Sequence, residues 1–363
     1  MPVRVHVVMT RYPHWGAFSG IRQFLDHLDP TEYQIRTHAS SDGDDDFPVR
    51  NPRVRRVLRL VIQTGGMPWY KLSDLVAEID ALVLSLRRRV DVVHFLNAEH
   101  AVQYLPLLRA CSGAKLIGTF HQPTNILSCV VRPGAIRRLD HVTLVSPEQV
   151  PFFGTLLPPD RVSVILHGVD TDFFRPAATA KVKSTFECLT VGHWLRDYRS
   201  LRQVAQRLSH CRDIAFRIVS PRESGFEDLT NTTVCANVSD ERLRELYQSA
   251  DVLFLPLTHA TANNALLEGI ACGLPVISTA LESVRAYLPG NEAMLVERND
   301  PDQLADAVMR LYRDVPLRRR MAAAARRRAV ELSWPQIARQ YETLYQRIAR
   351  PRTRHLQRAE EGA

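Results

Sequence analysis

The sequence predicts an α/β protein built from two doubly wound parallel sheets that face each other across a cleft. Short apolar runs rich in β-branched residues alternate with longer amphipathic stretches almost from end to end, and the alternation stops once and then restarts. A length of 363 residues, at roughly 150 per domain, suits two such units.

In chain order, first-half strands are expected at Val3 to Met9, Tyr33 to Thr37, Val90 to Phe95, Lys115 to Thr119, Val142 to Val145 and Val162 to Leu166. All but the last two lead through a loop into a helical pattern, the first of these helices beginning at Ile21. From Thr171 to Ser184 the period is lost, and a strand pattern resumes at Cys188. That places a domain boundary after residue 170 and a hinge in Thr171 to Ser184. Second-half strands are expected at Cys188 to Gly192, Phe216 to Val219, Thr233 to Ala236, Val252 to Leu255, Val276 to Ser278 and Ala293 to Val296. Helices fall at Glu241 to Ser249, Asn263 to Cys272 and Pro301 to Arg313, and Leu317 to Arg350 reads as one further helical stretch. Residues 1–170, 171–335 and 336–363 are thus an N-terminal domain, a C-terminal domain, and a terminal helix whose polar tail, Arg352 to Ala363, frays.

Composition narrows the class of partner. A chain with 45% hydrophobic and 24% charged residues is neither fibrous nor mainly disordered. The net charge of +8 suits phosphate-bearing ligands or an anionic lipid surface better than dedicated duplex binding, so no nucleic-acid partner is expected. The six cysteines stand far apart without a Cys-x-x-Cys, which predicts a cytosolic chain with no structural zinc and no disulfide framework. No run reaches the roughly 18 apolar residues of a membrane span, so any membrane contact is peripheral.

Ligands of doubly wound sheets bind at the carboxyl ends of the strands, and four loops there carry chemistry. After the first strand, Gly16 to Gly20 around Ser19 lets backbone amides approach a phosphate or sugar, although a plain strand-to-helix turn explains it as well. After the fourth, Thr119-Phe120-His121 offers an imidazole to the cleft, or a structural histidine. After Cys188 to Gly192, close approach at Gly192 is followed by Arg196 and Arg199, which suit a diphosphate unless they are solvated. The richest loop runs from Pro256 to Ser278. Free amides at Asn263, Asn264 and Ala265 open a helix as an anion site, and Glu268, one turn in, presents two oxygens to a vicinal diol such as a ribose. Taken alone, a helix glutamate of this kind is a surface residue.

Outside these loops, Val54, Val57, Leu58, Val61 and Ile62 recur at helical spacing among Arg50, Arg53, Arg55, Arg56 and Arg59. Arg50 to Ile62 is read either as a basic helix lying on anionic lipid or as a helix packing its stripe on the first domain.

Together these segments resemble the family 4 glycosyltransferases, whose GT-B architecture pairs two Rossmann-like domains. The resemblance rests on Gly16 to Gly20, Thr119-Phe120-His121, His167-Gly168-Val169-Asp170, Val191-Gly192 with Arg196, and Ala260 to Glu268 followed by Ala271-Cys272-Gly273-Leu274-Pro275-Val276. Asn299-Asp300-Pro301 and Ser333-Trp334 are similar to its closing helices, the last of which returns to the first domain. The resemblance implies a retaining, metal-independent transfer of a sugar from a nucleotide-sugar donor to a hydroxyl acceptor, which is often lipid-linked. It assigns Glu268 to the ribose, Arg196 with Arg199 in reserve to the diphosphate, the amides of Asn263 to Ala265 to phosphate or sugar, and His121 to the reaction centre. No protein nucleophile and no cofactor are implied, and the location is the cytoplasm or the inner membrane face. Three departures stand out: Ala260 replaces the first glutamate of the family's pair, Arg196-Asp197 replaces Lys-Gly, and His167 replaces Asn. Alternatives are an epimerase, a phosphorylase, which the second half's sparse lysines (Lys181 and Lys183) disfavour, and a non-catalytic binding subunit.

Overall fold

The computed structural model describes residues 2–12, 16–63, 68–107, 113–179, 183–220 and 225–349. The polar tail and three residues of the expected hinge lie outside them. The first sheet consists of β1 (Val3–Arg11), β2 (Tyr33–Ser41), β3 (Val92–Phe95), β4 (Lys115–Phe120), β5 (His141–Leu144) and β6 (Val162–Val164), in the order β2-β1-β3-β4-β5-β6. The second consists of β7 (Phe186–Val191), β8 (Ile214–Val219), β9 (Thr232–Cys235), β10 (Val252–Leu255), β11 (Val276–Thr279) and β12 (Ala293–Val296), in the order β12-β11-β10-β7-β8-β9. All pairings are parallel. Strands such as β3 and β10 are buried on both faces, which is why they read as unbroken apolar runs.

The helices of the first half are α1 (Pro52–Ile62), α2 (Leu72–Leu86), α3 (Ala98–Ala101), α4 (Thr124–Val130), α5 (Pro133–Ile136) and α6 (Val150–Gly154). The second half adds α7 (Tyr198–Arg207), α8 (Asp240–Ser249), α9 (Asn264–Ala271), α10 (Glu282–Tyr287), α11 (Pro301–Arg313), α12 (Val315–Glu331) and α13 (Trp334–Ala349). Each chain direction reverses in strand order beside β1 and β7, so the loops leaving β1, β4, β7 and β10 meet at one cleft.

Three expectations are corrected. The segment after Gly20 is not an α-helix but a 3-10 helix, Ile21–His27, closed by the Leu28 amide on the Leu25 carbonyl. The strand β5 does lead into a helix, the short α6. The helical stretch from Leu317 onward is broken into α12 and α13. Pro335 has no amide to continue α12, and the break lets Val169 donate to the Leu332 carbonyl (3.0 Å) and accept from the Trp334 amide (3.3 Å). The terminal helix therefore starts at Trp334, not at residue 336. It packs on the first sheet, where Tyr341 stacks on Phe24 at 4.0 Å and the Tyr345 hydroxyl meets His94 at 2.7 Å. Trp334 and Val169 belong to one apolar core with residues of both sheets, including Val5, Leu189 and Leu253.

The apolar stripe of α1 is split. Leu58 and Ile62 turn inward against Tyr70 and Leu72, whereas Val54, Val57, Leu60 and Val61 remain between 41% and 64% exposed. Arg55 is held by the carbonyls of Phe47 and Val49, and Arg59 by Asp44. Arg50, Arg53 and Arg56 stay in solvent.

Candidate active site

Glu268 sits one turn into α9, whose apolar neighbours Leu266, Leu267 and Ile270 drive that face into the core. Its carboxylate is buried. The Ser19 hydroxyl donates to one oxygen at 2.6 Å and the Tyr247 hydroxyl, from α8, to the other at 2.9 Å. Burial raises the Glu268 pKa above the ordinary glutamate value, and those two bonds with nearby Arg196 oppose the rise. The carboxylate thus stands at the cleft floor with each oxygen already in a hydroxyl contact, the bonding that a vicinal diol offers.

Arg196 lies against the amino end of the same helix. Gly192 takes a φ of +84°, a left-handed turn, and a Cβ there would come within 3.0 Å of the guanidinium. The turn folds Arg196 back so that Nε donates to the Val191 carbonyl (3.0 Å), one terminal nitrogen to the Trp194 carbonyl (2.9 Å) and the other to Asn263 Oδ1 (3.1 Å). Asn263 is not the helix's first residue but its cap: Oδ1 also accepts the Leu266 amide at 3.2 Å. Its Nδ2 is buried without a partner among the described residues, and the amides of Asn264 and Ala265 lack intrahelical acceptors. A guanidinium, an orphan amide nitrogen and the positive end of α9 therefore converge on one small volume, as an anion requires. Arg199 stands apart, exposed on the first turn of α7.

The first-strand loop reaches across the cleft. Gly16 packs so tightly on Asp240 of α8 that a Cβ would lie 2.2 Å from its carboxylate, and the Ala17 amide donates to the same carboxylate at 2.8 Å. Phe18 stacks on Phe173 at 3.6 Å, and the Arg244 guanidinium lies 4.6 Å from the Phe173 ring. Gly20, at φ +97°, ends the loop.

His121 sits at the end of β4. Its Nε2 donates to the Leu96 carbonyl at 2.7 Å, which leaves Nδ1 as the acceptor, and burial lowers its pKa to about 4. The ring is neutral at pH 7. The His121 amide donates to Glu99 at 3.3 Å, and Thr261, one residue after Ala260, donates to the His121 carbonyl. His167 lies behind this group at 6.3 Å ring to ring, its amide bonded to the Tyr287 hydroxyl at 2.8 Å.

The expected residues Gly16, Gly20, His121, Gly192, Arg196, Asn263, Asn264, Ala265 and Glu268 are thus drawn into one cleft, and Arg199 is not. Tyr247, Asp240, Glu99 and Thr261 were missed. Nothing in their spacing marks them, since each acts through a partner distant in sequence. Among the described residues, no three His, Cys, Asp or Glu side chains gather as metal ligands.

Residues 16–173 match the family model described as Glycosyltransferase Family 4, and residues 187–314 match that described as Glycosyl transferases group 1. The D-inositol 3-phosphate glycosyltransferase of Corynebacterium diphtheriae is 26% identical over 217 residues, which cover 52% of this chain and 51% of that protein. The chain spans about half the length of the curated relatives first matched. A glycosyltransferase from Rickettsia africae has a similar fold, with a TM-score of 0.71 at 16% identity over 96% of this chain and 98% of that one. Anabaena HepE in complex with UDP-glucose gives 0.67 at 12% identity over 94% and 99%. On its two matched models, its motifs and its paired sheets, the chain belongs to the family 4 glycosyltransferases of GT-B fold.

Proposed function

We propose that the protein transfers a glycosyl group from a nucleotide-sugar to a hydroxyl acceptor, with retention at the anomeric carbon and without a metal ion. The observation that carries this reading is the junction of Glu268, Arg196 and the capped end of α9. The carboxylate suits a ribose diol, while the guanidinium, Asn263 Nδ2 and the open amides suit the diphosphate one turn away. Fixed dipoles and a buried cation of this kind stabilise negative charge growing on the leaving diphosphate, the work a divalent cation otherwise does. The bond from the anomeric carbon to the diphosphate oxygen breaks, a bond to the acceptor oxygen forms on the same face, and the acceptor proton passes to the departing phosphate oxygen. No side chain serves as nucleophile. Neutral His121, held by Leu96 and bridged to the second domain by Thr261, offers Nδ1 to a sugar hydroxyl near the reacting carbon. Ala260 brings no carboxylate to the donor's hydroxyls, so donor choice rests on other contacts.

The exposed apolar face of α1, flanked by Arg50, Arg53 and Arg56, supports peripheral contact with an anionic membrane, where a lipid-linked acceptor would be met. No described helix is long and apolar enough to cross a membrane.

The test is a panel of UDP-, GDP-, ADP- and dTDP-sugars with candidate acceptors in the presence of EDTA, with product configuration read by NMR. Nucleoside diphosphate release and an unchanged anomeric configuration are expected. An inverted product refutes retention, activity restored only by magnesium refutes metal independence, and no release from any donor favours a non-catalytic binding subunit.

A further inference from the structure

A cavity of about 580 Å³ opens between β12, α11 and α12, and none of the residues lining it belongs to the cleft site. Met294 and Met321 give it an apolar wall, and Asn291 adds an amide. Three arginines line it: Arg310 from α11, with Arg320 and Arg327 from α12. The last two are seven residues apart, two turns of helix, and so share a face. No Asp or Glu lines the cavity, and among the described residues none of the three guanidinium groups has an ion pair or hydrogen bond. Three neighbouring arginines on α12, by contrast, are engaged. Arg318 reaches the Leu311 carbonyl at 2.7 Å, Arg326 the carbonyls of Thr171, Phe174 and Ala271, and Arg328 Glu331 and the Tyr287 carbonyl. Three like charges, all solvent-exposed, stand around one concavity, and among the described residues no carboxylate pairs with them.

We propose that this cavity binds a small phosphorylated molecule carrying at least two negative charges. Guanidinium forks match phosphate oxygens in pairs, the volume lies within the range of small-molecule sites, and the methionine wall suits the apolar face of a sugar or similar body. The site is separate from the donor cleft.

Calorimetric titration with pyrophosphate, glucose 6-phosphate and glucose tests it, using the full chain and three variants. Because the cleft also takes phosphates, Arg196→Gln serves to weaken that site alone. Arg320→Ala with Arg327→Ala removes the cavity's cations, and Arg313→Ala with Arg319→Ala removes two exposed arginines outside it. Both phosphorylated probes are expected to bind the full chain and Arg196→Gln, glucose is not, and affinity is expected to fall about 10-fold or more in the cavity variant but not in the surface control. Unchanged affinity in the cavity variant, equal loss in the surface control, or binding of glucose as tight as that of its phosphate overturns the proposal. So does the absence of phosphate binding to Arg196→Gln at an unchanged melting temperature.

Discussion

Both oxygens of Glu268 are occupied from within the protein, and the two partners have different consequences. Tyr247 is buried and fixes the carboxylate, whereas Ser19 reaches it from the other half of the molecule and holds the oxygen a ribose hydroxyl would take. Ser19→Ala frees that oxygen, and nucleoside diphosphate affinity is expected to rise by about fivefold, the worth of one ordinary hydrogen bond, as read by calorimetry. A fall in affinity would mean that Ser19 binds the nucleotide rather than competing with it. Glu268, Arg196 and His121 were legible in the sequence because each follows a strand, at a position where a doubly wound sheet presents side chains to ligand. Their partners were not. Tyr247 lies 21 residues from Glu268 and reads as an ordinary helix tyrosine, and Glu99 reads as an exposed acid until burial beneath His121 raises its pKa to about 8. The exposure of Arg199 was equally hidden, since Arg196 lies in the turn that precedes α7 and Arg199, three residues on, lies on the solvated side of that helix.

At the scale of the element, α9 depends on its cap. Asn263→Ala removes the acceptor of both the Leu266 amide and Arg196, and is expected to cost about 1 kcal/mol of stability in chemical denaturation. Pyrophosphate binding at the cleft is expected to weaken as well, because the orphan Nδ2 leaves with the cap. For α1, Val57→Asn with Leu60→Asn is expected to reduce co-sedimentation with phosphatidylglycerol vesicles without shifting the melting temperature, both side chains being exposed. Unchanged co-sedimentation would remove α1 from any membrane contact. Helical period predicted a stripe here, but period alone does not say which part of a stripe is covered: α1 lies over Tyr70 and Leu72 by only its Leu58 and Ile62 edge. The break between α12 and α13 was likewise invisible in apolar spacing, because Val169, some 160 residues earlier, takes the backbone bonds that a continuous helix would have used.

For the whole molecule, burial of histidines sets the response to acid. His6, His100, His121 and His141 are lowered to about 4, and His94 and His167 to about 3, all chiefly by loss of hydration. Between pH 6.5 and 4 the unfolded chain binds protons at these six sites that the native state refuses, so stability falls as pH falls through that window. Asp74 and Glu99, raised to about 8, and Glu78 and Glu268, also raised, work in the opposite direction, because the native state keeps protons that the unfolded chain has lost. The histidines outnumber them. The melting temperature is expected to fall from pH 7 to pH 5 with net proton uptake on unfolding, and a flat profile would show that the histidines are hydrated in solution. The two-sheet architecture itself was the most legible feature of the chain, since parallel strands buried on both faces announce themselves as apolar runs; the crossing of the cleft by Phe18 and Phe173 was not, since stacking between two loops leaves no periodic trace.

The central claim is that Glu268 at the mouth of α9 is where the nucleotide's ribose is held, and it is tested most directly by titrating UDP, GDP, ADP and dTDP into the protein and its Glu268→Ala variant in EDTA. One nucleotide is expected to bind the parent chain selectively and to lose about 10-fold to 100-fold in affinity with the variant, which keeps its fold by circular dichroism. Equal affinity of the two proteins for every nucleotide would contradict the account.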